Sequence, residues 1–139
     1  MRTVCITLAL ALLAGCGSDS NAPKSVDGSY TLTSVGGHSL PANIYSETDY
    51  TLDVTKGSVE LHENGTFTDS YDFSENDAGA ITTATVPCSG TWTRLGNNIA
   101  LGETVTGDCG DHGTGSWDGS NTVTITWESI GLPAVYSKH

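Results

Sequence analysis

The chain has 139 residues, with 16 acidic against 5 basic side chains and a formal net charge of −11. That balance lacks the basic footprint that nucleic acid or an anionic lipid headgroup layer requires, and it argues against both as charge-recognised partners. Cationic partners and divalent ions stay open, and the length suffices for one domain with a real core.

The chain opens on Met1-Arg2 and an apolar run from Val4 to Leu13, the n-region and h-region of a secretory signal peptide. The run is shorter than the roughly 20 apolar residues that cross a bilayer. It ends in Leu13-Ala14-Gly15-Cys16, which resembles the lipobox of bacterial lipoproteins. That resemblance implies cleavage between Gly15 and Cys16, diacylglycerol on the Cys16 sulfur, and a further acyl chain such as palmitate on the new amino group. One acyl chain holds weakly and two or more hold firmly. The expected division is a signal peptide over residues 1–15, a lipidated cysteine and flexible tether over 16–25, and one domain over 26–139. The tether, "GSDSNAPKS", is small, polar and proline-containing. Gly17, rather than an aspartate, follows Cys16, which by the same resemblance implies an outer-membrane anchor facing the periplasm in a Gram-negative cell. Cleavage removes Arg2 and no acidic residue, so the mature part carries 4 basic against 16 acidic side chains.

Past the tether, apolar residues alternate with polar ones and threonine is abundant, the pattern of half-buried strands. Tyr30 and Leu32 share one face. Tyr50, Leu52 and Val54 share another, as do Val59 and Leu61. Val123, Ile125 and Trp127 face in against Thr122, Thr124, Thr126 and Glu128. Asn64-Gly65 suits a two-residue type I′ turn, and Lys56-Gly57, Gly96-Asn97 and Asp118-Gly119 punctuate the other runs. About eight short strands joined by turns predict an antiparallel meander that curls into a small barrel or packs as a sandwich.

Of the four cysteines, Cys5 falls in the leader and Cys16 is the anchor. Cys88 and Cys109 remain, and in an oxidising compartment they pair, with a catalytic or metal-binding thiol pair as the rival reading. Such a bridge contributes roughly 3 kcal/mol. A hairpin turning at Gly96-Asn97 sets Cys88 opposite residue 105, near Cys109.

The stretch "DGSYTLTSVGGHSLPA" resembles the opening of bacterial lipocalin-like domains, and the similarity continues through "GSVELHENGTFTDSYDF", "CSGTWTRLGNNIAL", "TVTITW" and "AVYSK". Tyr30 stands where lipocalins proper carry a tryptophan. The resemblance implies an all-β, up-and-down barrel, often disulfide-bridged, and no single activity, since small barrels host unrelated functions.

A barrel interior is the default pocket. Its expected ligand-facing residues are Tyr30, Leu32, Tyr50, Phe67, Tyr71, Trp92, Arg94 and Trp127, with Leu52, Phe73, Ile99, Val123 and Ile125 beside them. Asp69 and Arg94 share faces with these aromatics, and if both point inward they should pair, because an unpaired buried charge is costly. Arg94 would then stack on Trp92. The loop "GDCGDHGTGSWDG" gathers Asp108, Asp111, His112 and Asp118, yet no EF-hand or zinc spacing is present, and no metal or cofactor is assigned. His38, His62 and His139 read as surface residues. Catalytic motifs are missing: there is no G-x-S-x-G, H-E-x-x-H or P-loop. The expectation is a non-enzymatic, lipid-anchored envelope protein that binds a small apolar ligand in its barrel. The alternative is a protein-interaction module with a filled core, such as a periplasmic protease inhibitor or an envelope-assembly factor.

Overall fold

The computed structural model describes residues 24–104 and 110–138. The leader, Cys16, the first part of the tether, Asp108, Cys109 and His139 lie outside the described residues. The threonine-rich alternation produces ten strands and, among the described residues, no helix. They are β1 (Gly28–Val35), β2 (His38–Ser39), β3 (Ala42–Glu47), β4 (Tyr50–Leu61), β5 (Thr66–Asp77), β6 (Ala80–Leu95), β7 (Asn98–Glu103), β8 (His112–Trp117), β9 (Thr122–Trp127) and β10 (Pro133–Lys138). Each strand from β4 to β10 pairs antiparallel with the next, β10 pairs with β1, and β1 closes the ring on β4. The fold is therefore an eight-stranded antiparallel up-and-down barrel, as the alternation predicted, with β2 and β3 as additional strands.

Two of the expected turns differ. Lys56-Gly57 is no turn: β4 runs through it as one strand, with a bulge between Val54 and Lys56. A β-carbon on Gly57 would lie 2.9 Å from Leu32 Cδ2 and 3.1 Å from Tyr71 Cδ1, so the glycine serves close packing inside the barrel. At Asn64-Gly65 only the glycine has positive φ (80°), and the tight turn spans His62 to Gly65. The Asn64 side chain instead accepts hydrogen bonds from the Thr66 N–H (3.0 Å) and hydroxyl (2.7 Å). Among the described residues two turns have two positive φ values: Gly36-Gly37 (60° and 82°), which joins β1 to β2 with Val35 opposite His38, and Ala78-Gly79 (50° and 91°), which joins β5 to β6 with Asp77 opposite Ala80. Gly96-Asn97 does turn the β6–β7 hairpin in the expected register, with Leu95 opposite Asn98 and Gly90 opposite Glu103. Cys88 is disulfide-bonded.

The interior is solid. Trp127, Tyr30, Tyr136, Phe67, Leu61 and Ile125 are the largest of the side chains with under 2% exposure. Burying each such side chain contributes roughly 1.5–3 kcal/mol. One end of the barrel is closed: Val26 is buried there and its carbonyl accepts the Tyr30 hydroxyl (2.5 Å). Arg94 lies over the Trp117 ring at 4.5 Å, and the Trp92 indole N–H donates to the His62 carbonyl at 3.0 Å. The chain enters at this same end, where Lys24 reaches the Ser120 hydroxyl and Lys138 reaches the Ser25 carbonyl.

The tight sheet makes a matched glycine pair diagnostic. A β-carbon on Gly115 would lie 1.9 Å from the Thr124 carbonyl oxygen, whereas one on Gly102 meets nothing closer than 3.8 Å. Gly115→Ala should cost about 2–3 kcal/mol or more in chemical denaturation, and Gly102→Ala less than ~0.5 kcal/mol. Equal effects would contradict the packing described.

Candidate functional site

The open end of the barrel owes its shape to unequal strand lengths. β4 and β5 have 12 residues each and β6 has 16, while β7 to β10 have 6 each. With β3, the longer strands project past the rim as a sheet. Register places Tyr50, Leu52 and Val54 on the same face as Phe73 and Glu75, and as Thr82 and Ala84. That face continues the barrel interior. Below it lies a cavity of about 220 Å³ lined by Tyr71, Phe73, Val86, Cys88, Glu103, Asp111, Trp127, Ser129 and Ile130. A hollow of about 280 Å³ lined by Tyr50, Leu52, Phe73, Glu75, Thr82 and Ala84 continues it along the projecting sheet, with Phe73 common to both.

Behind this lining, within 4.8 Å of Cys88 and Glu103, lies a buried carboxyl in an apolar setting. Asp69, flanked on its face by Phe67 and Tyr71, is only 5% exposed, and its Oδ1 has no hydrogen-bond partner. Its carboxyl is hydrogen-bonded to Glu103, and burial, followed by the charge of Glu103, raises its pKa from 3.8 to about 7. Gly90 of β6 lies opposite Glu103 and lets β7 pack close: a β-carbon there would lie 2.1 Å from the Gly102 carbonyl oxygen and 2.8 Å from Glu103 Cα. Glu103 Oε2 accepts the Gly110 and Asp111 N–H groups at 3.1 and 3.0 Å. The Asp111 carboxyl accepts the His112 N–H at 2.8 Å and the Ser129 N–H and hydroxyl. Beside Asp69, the Trp127 indole donates to the Tyr136 hydroxyl (3.2 Å), which is also hydrogen-bonded to the Tyr71 hydroxyl. Burial pushes both tyrosines well above the usual phenol range.

The expected ligand-facing residues divide among three places. Tyr30 and Phe67 are buried in the solid core and reach no cavity at the open end, and Leu32, also buried, lines a separate hollow of about 310 Å³ with Leu40, Lys56, Gly57 and Asp72. Tyr71 and Trp127 are buried beneath the open-end cavity, and Tyr50 is half-buried on the projecting sheet. Trp92 and Arg94 belong to the closed end; Trp92 is half-buried and Arg94 exposed. The expected Asp69–Arg94 pair does not form. Arg94 lies six residues along β6 from Cys88, the register partner of Asp69, a span of roughly 20 Å. Its guanidinium stacks on Trp117 rather than Trp92, and its Nε donates to the Gly96 carbonyl at 2.5 Å.

Asp111 and Asp118 sit at opposite ends of β8 and share no site. Asp118 Oδ1 accepts the Ser120 and Thr122 N–H groups, which holds its pKa below the usual carboxylate value. Ligand atoms of Asp69, Cys88 and Glu103 lie within 4.8 Å of one another. The Cys88 sulfur is committed to a disulfide and offers no thiolate, so two carboxyls remain, too few for a protein-built metal centre. The Asp69–Glu103 pair escapes the sequence reading because the Ala78-Gly79 turn was not used to set the β5–β6 register. Once that turn is fixed, Asp69 falls opposite Cys88 and one glycine away from Glu103. In comparisons with known proteins, the chain matches no family model and no curated protein.

Asp69 binds its proton up to about pH 7 when folded, against 3.8 as its ordinary value. Between these values the folded state holds the extra proton, so this contribution is full below about pH 4 and lost as pH rises through 7. The rise corresponds to about 4 kcal/mol in total. Asp69→Asn, neutral throughout, should gain about 2–3 kcal/mol relative to wild type between pH 5 and pH 8.5 in chemical denaturation. A pH-independent difference would contradict a buried, protonated Asp69.

Proposed function

We propose that this protein is a lipid-anchored, non-catalytic binding protein of the cell envelope that seats a small apolar ligand at the open end of its barrel. The observation that carries the reading is the cavity walled by Tyr71, Phe73, Val86, Trp127 and Ile130 above a solid core. Small-molecule sites are concave, mostly apolar and provided with a few polar groups, which fits this end of the molecule. The ligand site thus moves from the centre of the barrel to its mouth. The anchor supports the same arrangement. The described chain starts at Lys24 on the closed end, so a lipid on Cys16 would hold that end toward the membrane and leave the mouth facing away. Seven residues separate Cys16 from Lys24, a reach of at most ~29 Å.

A second reading rests on exposed apolar side chains of the projecting sheet, Ile81 at 70% and Tyr45 at 47% exposure. In that reading the sheet docks a protein partner and the mouth stays empty.

Titration with the neutral fluorescent probe N-phenyl-1-naphthylamine separates the two. The carrier reading expects saturable one-to-one binding, weakened about tenfold or more (~1.4 kcal/mol) by Phe73→Glu or Val86→Glu and unchanged by Thr93→Glu at the closed end. Absence of saturable binding, or equal binding by all variants, favours the docking module. For the anchor, Cys16→Ser should move the protein from the membrane fraction to the soluble fraction. Retention in membranes would overturn that part of the reading.

A further inference from the structure

The mouth of the barrel is short of one strand. β7 ends at Glu103, opposite Gly90, while β6 runs on to Ala80. From Val86 up to Ala80, one side of β6 has no neighbouring strand among the described residues. Register decides which backbone groups face that side. Asp77 and Ala80 close a two-residue turn as a hydrogen-bonded pair, so Ala80, Thr82, Ala84 and Val86 direct their N–H and C=O groups at β5. Ile81, Thr83 and Thr85 direct theirs the other way, onto the free edge. The Ser89 carbonyl, of the same parity, accepts the Thr104 N–H at 2.8 Å, in line with that alternation. Pro87, whose missing N–H would face this edge, ends it.

An open row of N–H and C=O groups is a template for another strand, and folded proteins blunt such edges with bulges, charge or proline. The other projecting edge, β3, is blunted. It has a bulge between Asn43 and Tyr45, the Asn43 amide donates to the Tyr45 carbonyl at 3.0 Å, and the strand ends on Glu47. From Ala80 to Val86, β6 has no bulge, charge or proline, and β-branched residues dominate it. The inner face of the same stretch walls the mouth. Thr82 and Ala84 line the outer hollow and Val86 the cavity, and Phe73 belongs to both. A strand added here would stand its inward side chains beside Ala84 and Val86, over the space that Phe73, Trp127 and Ile130 leave open.

We propose that the apolar group seated at the mouth is carried by an extended peptide, which adds to β6 in the place β7 vacates and drops alternate apolar side chains into the cavity. The proposal rests on the binding reading above and names its ligand class. Main-chain hydrogen bonds supply affinity in such a mode, and the pocket supplies selectivity. The groove sets the chemistry of the peptide. Inward residues are bulky and apolar, and outward ones, opposite Thr83 and Thr85, are β-branched. Acidic residues are disfavoured by Glu75, Glu103 and Asp111 in the lining and by the net charge of −11. A second copy fits this edge less well. Pairing β6 with its own copy about a two-fold axis inverts one barrel relative to the other. The closed ends, where both chains enter, would then point in opposite directions, against attachment of both to one membrane through Cys16. The charge on each copy opposes the same pairing.

The probe is a rhodamine-labelled, acetylated heptapeptide of alternating threonine and leucine with a lysine at each end, titrated by anisotropy into the protein in about 0.15 M salt. Saturable one-to-one binding is expected. Alternate amides of a strand face opposite edges, so two N-methylated versions of the peptide identify the contact. Methylating one alternate set should weaken binding about tenfold or more, and methylating the other less than about threefold. Thr83→Pro removes an edge N–H where proline is tolerated and should also weaken binding about tenfold or more, with folding checked by near-ultraviolet circular dichroism. N-phenyl-1-naphthylamine reports the cavity of the wild-type protein separately. If it saturates while the peptide does not bind, the strand assignment fails and the apolar site stands; if neither binds, the binding reading itself fails. Equal losses for the two methylated peptides, or binding unaffected by Thr83→Pro, would mean capture through side chains or overall acidity and overturn the proposal. A protein that sediments as a dimer, and that Thr83→Pro makes monomeric, overturns it in favour of a second copy.

Discussion

The structure turns on one strand that serves two partners. The first half of β4 pairs with β3, from Ala42 opposite Val54 to Glu47 opposite Tyr50, and its second half pairs with β1, from Gly28 opposite Leu61 to Thr31 opposite Ser58. The change of partner coincides with the bulge between Val54 and Lys56, and bulges bend strands and increase their twist. Gly57 follows at once, letting Leu32 and Tyr71 come into the space a side chain would fill. Below this point the sheet closes into a ring. Above it the same strands run on as a projecting sheet, so one feature makes both the barrel and the asymmetry of its two ends.

From that asymmetry follows the division of labour among the aromatics. At the closed end, Tyr30, Trp117 and Trp92 are each tied to backbone or to Arg94 and fill the barrel. At the open end, Tyr71, Tyr136 and Trp127 share a buried hydrogen-bonded chain beside Asp69. Above them the interior opens into the cavity lined by Tyr71 and Trp127. A carboxyl at the boundary between packed core and open mouth is a costly choice for stability alone. Burial favours its neutral form, and Glu103 beside it favours the same form.

The barrel was legible in the sequence because period-two alternation survives in most of the ring, broken by the shifts in β1 and β4. Val59 and Leu61, or Val123, Ile125 and Trp127, face the core as their spacing says. The β6–β7 register was legible too, since Gly96-Asn97 fixes it. Lys56-Gly57 misled because a glycine used for close approach looks the same in sequence as a glycine used for a turn. Asp69 was correctly placed on an inward face, but its partner was not legible. Charge complementarity pointed to Arg94, while the real neighbour is another acid, brought near by the Ala78-Gly79 register and the absent side chain of Gly90. Like-charge pairs of this kind are hidden from one-dimensional reading, which weighs attraction and has no measure of proximity.

The account's central claim is that a neutral, buried Asp69 is paired with Glu103 beneath the open end. The most direct measurement is a carbon-13 NMR titration of the Asp69 side-chain carboxyl in the intact domain, assigned through Asp69→Asn. The account predicts a midpoint near pH 7, far above the ordinary 3.8. A midpoint near 4 would mean that Asp69 is hydrated or paired with a cation of the chain, and the buried acid pair would not exist.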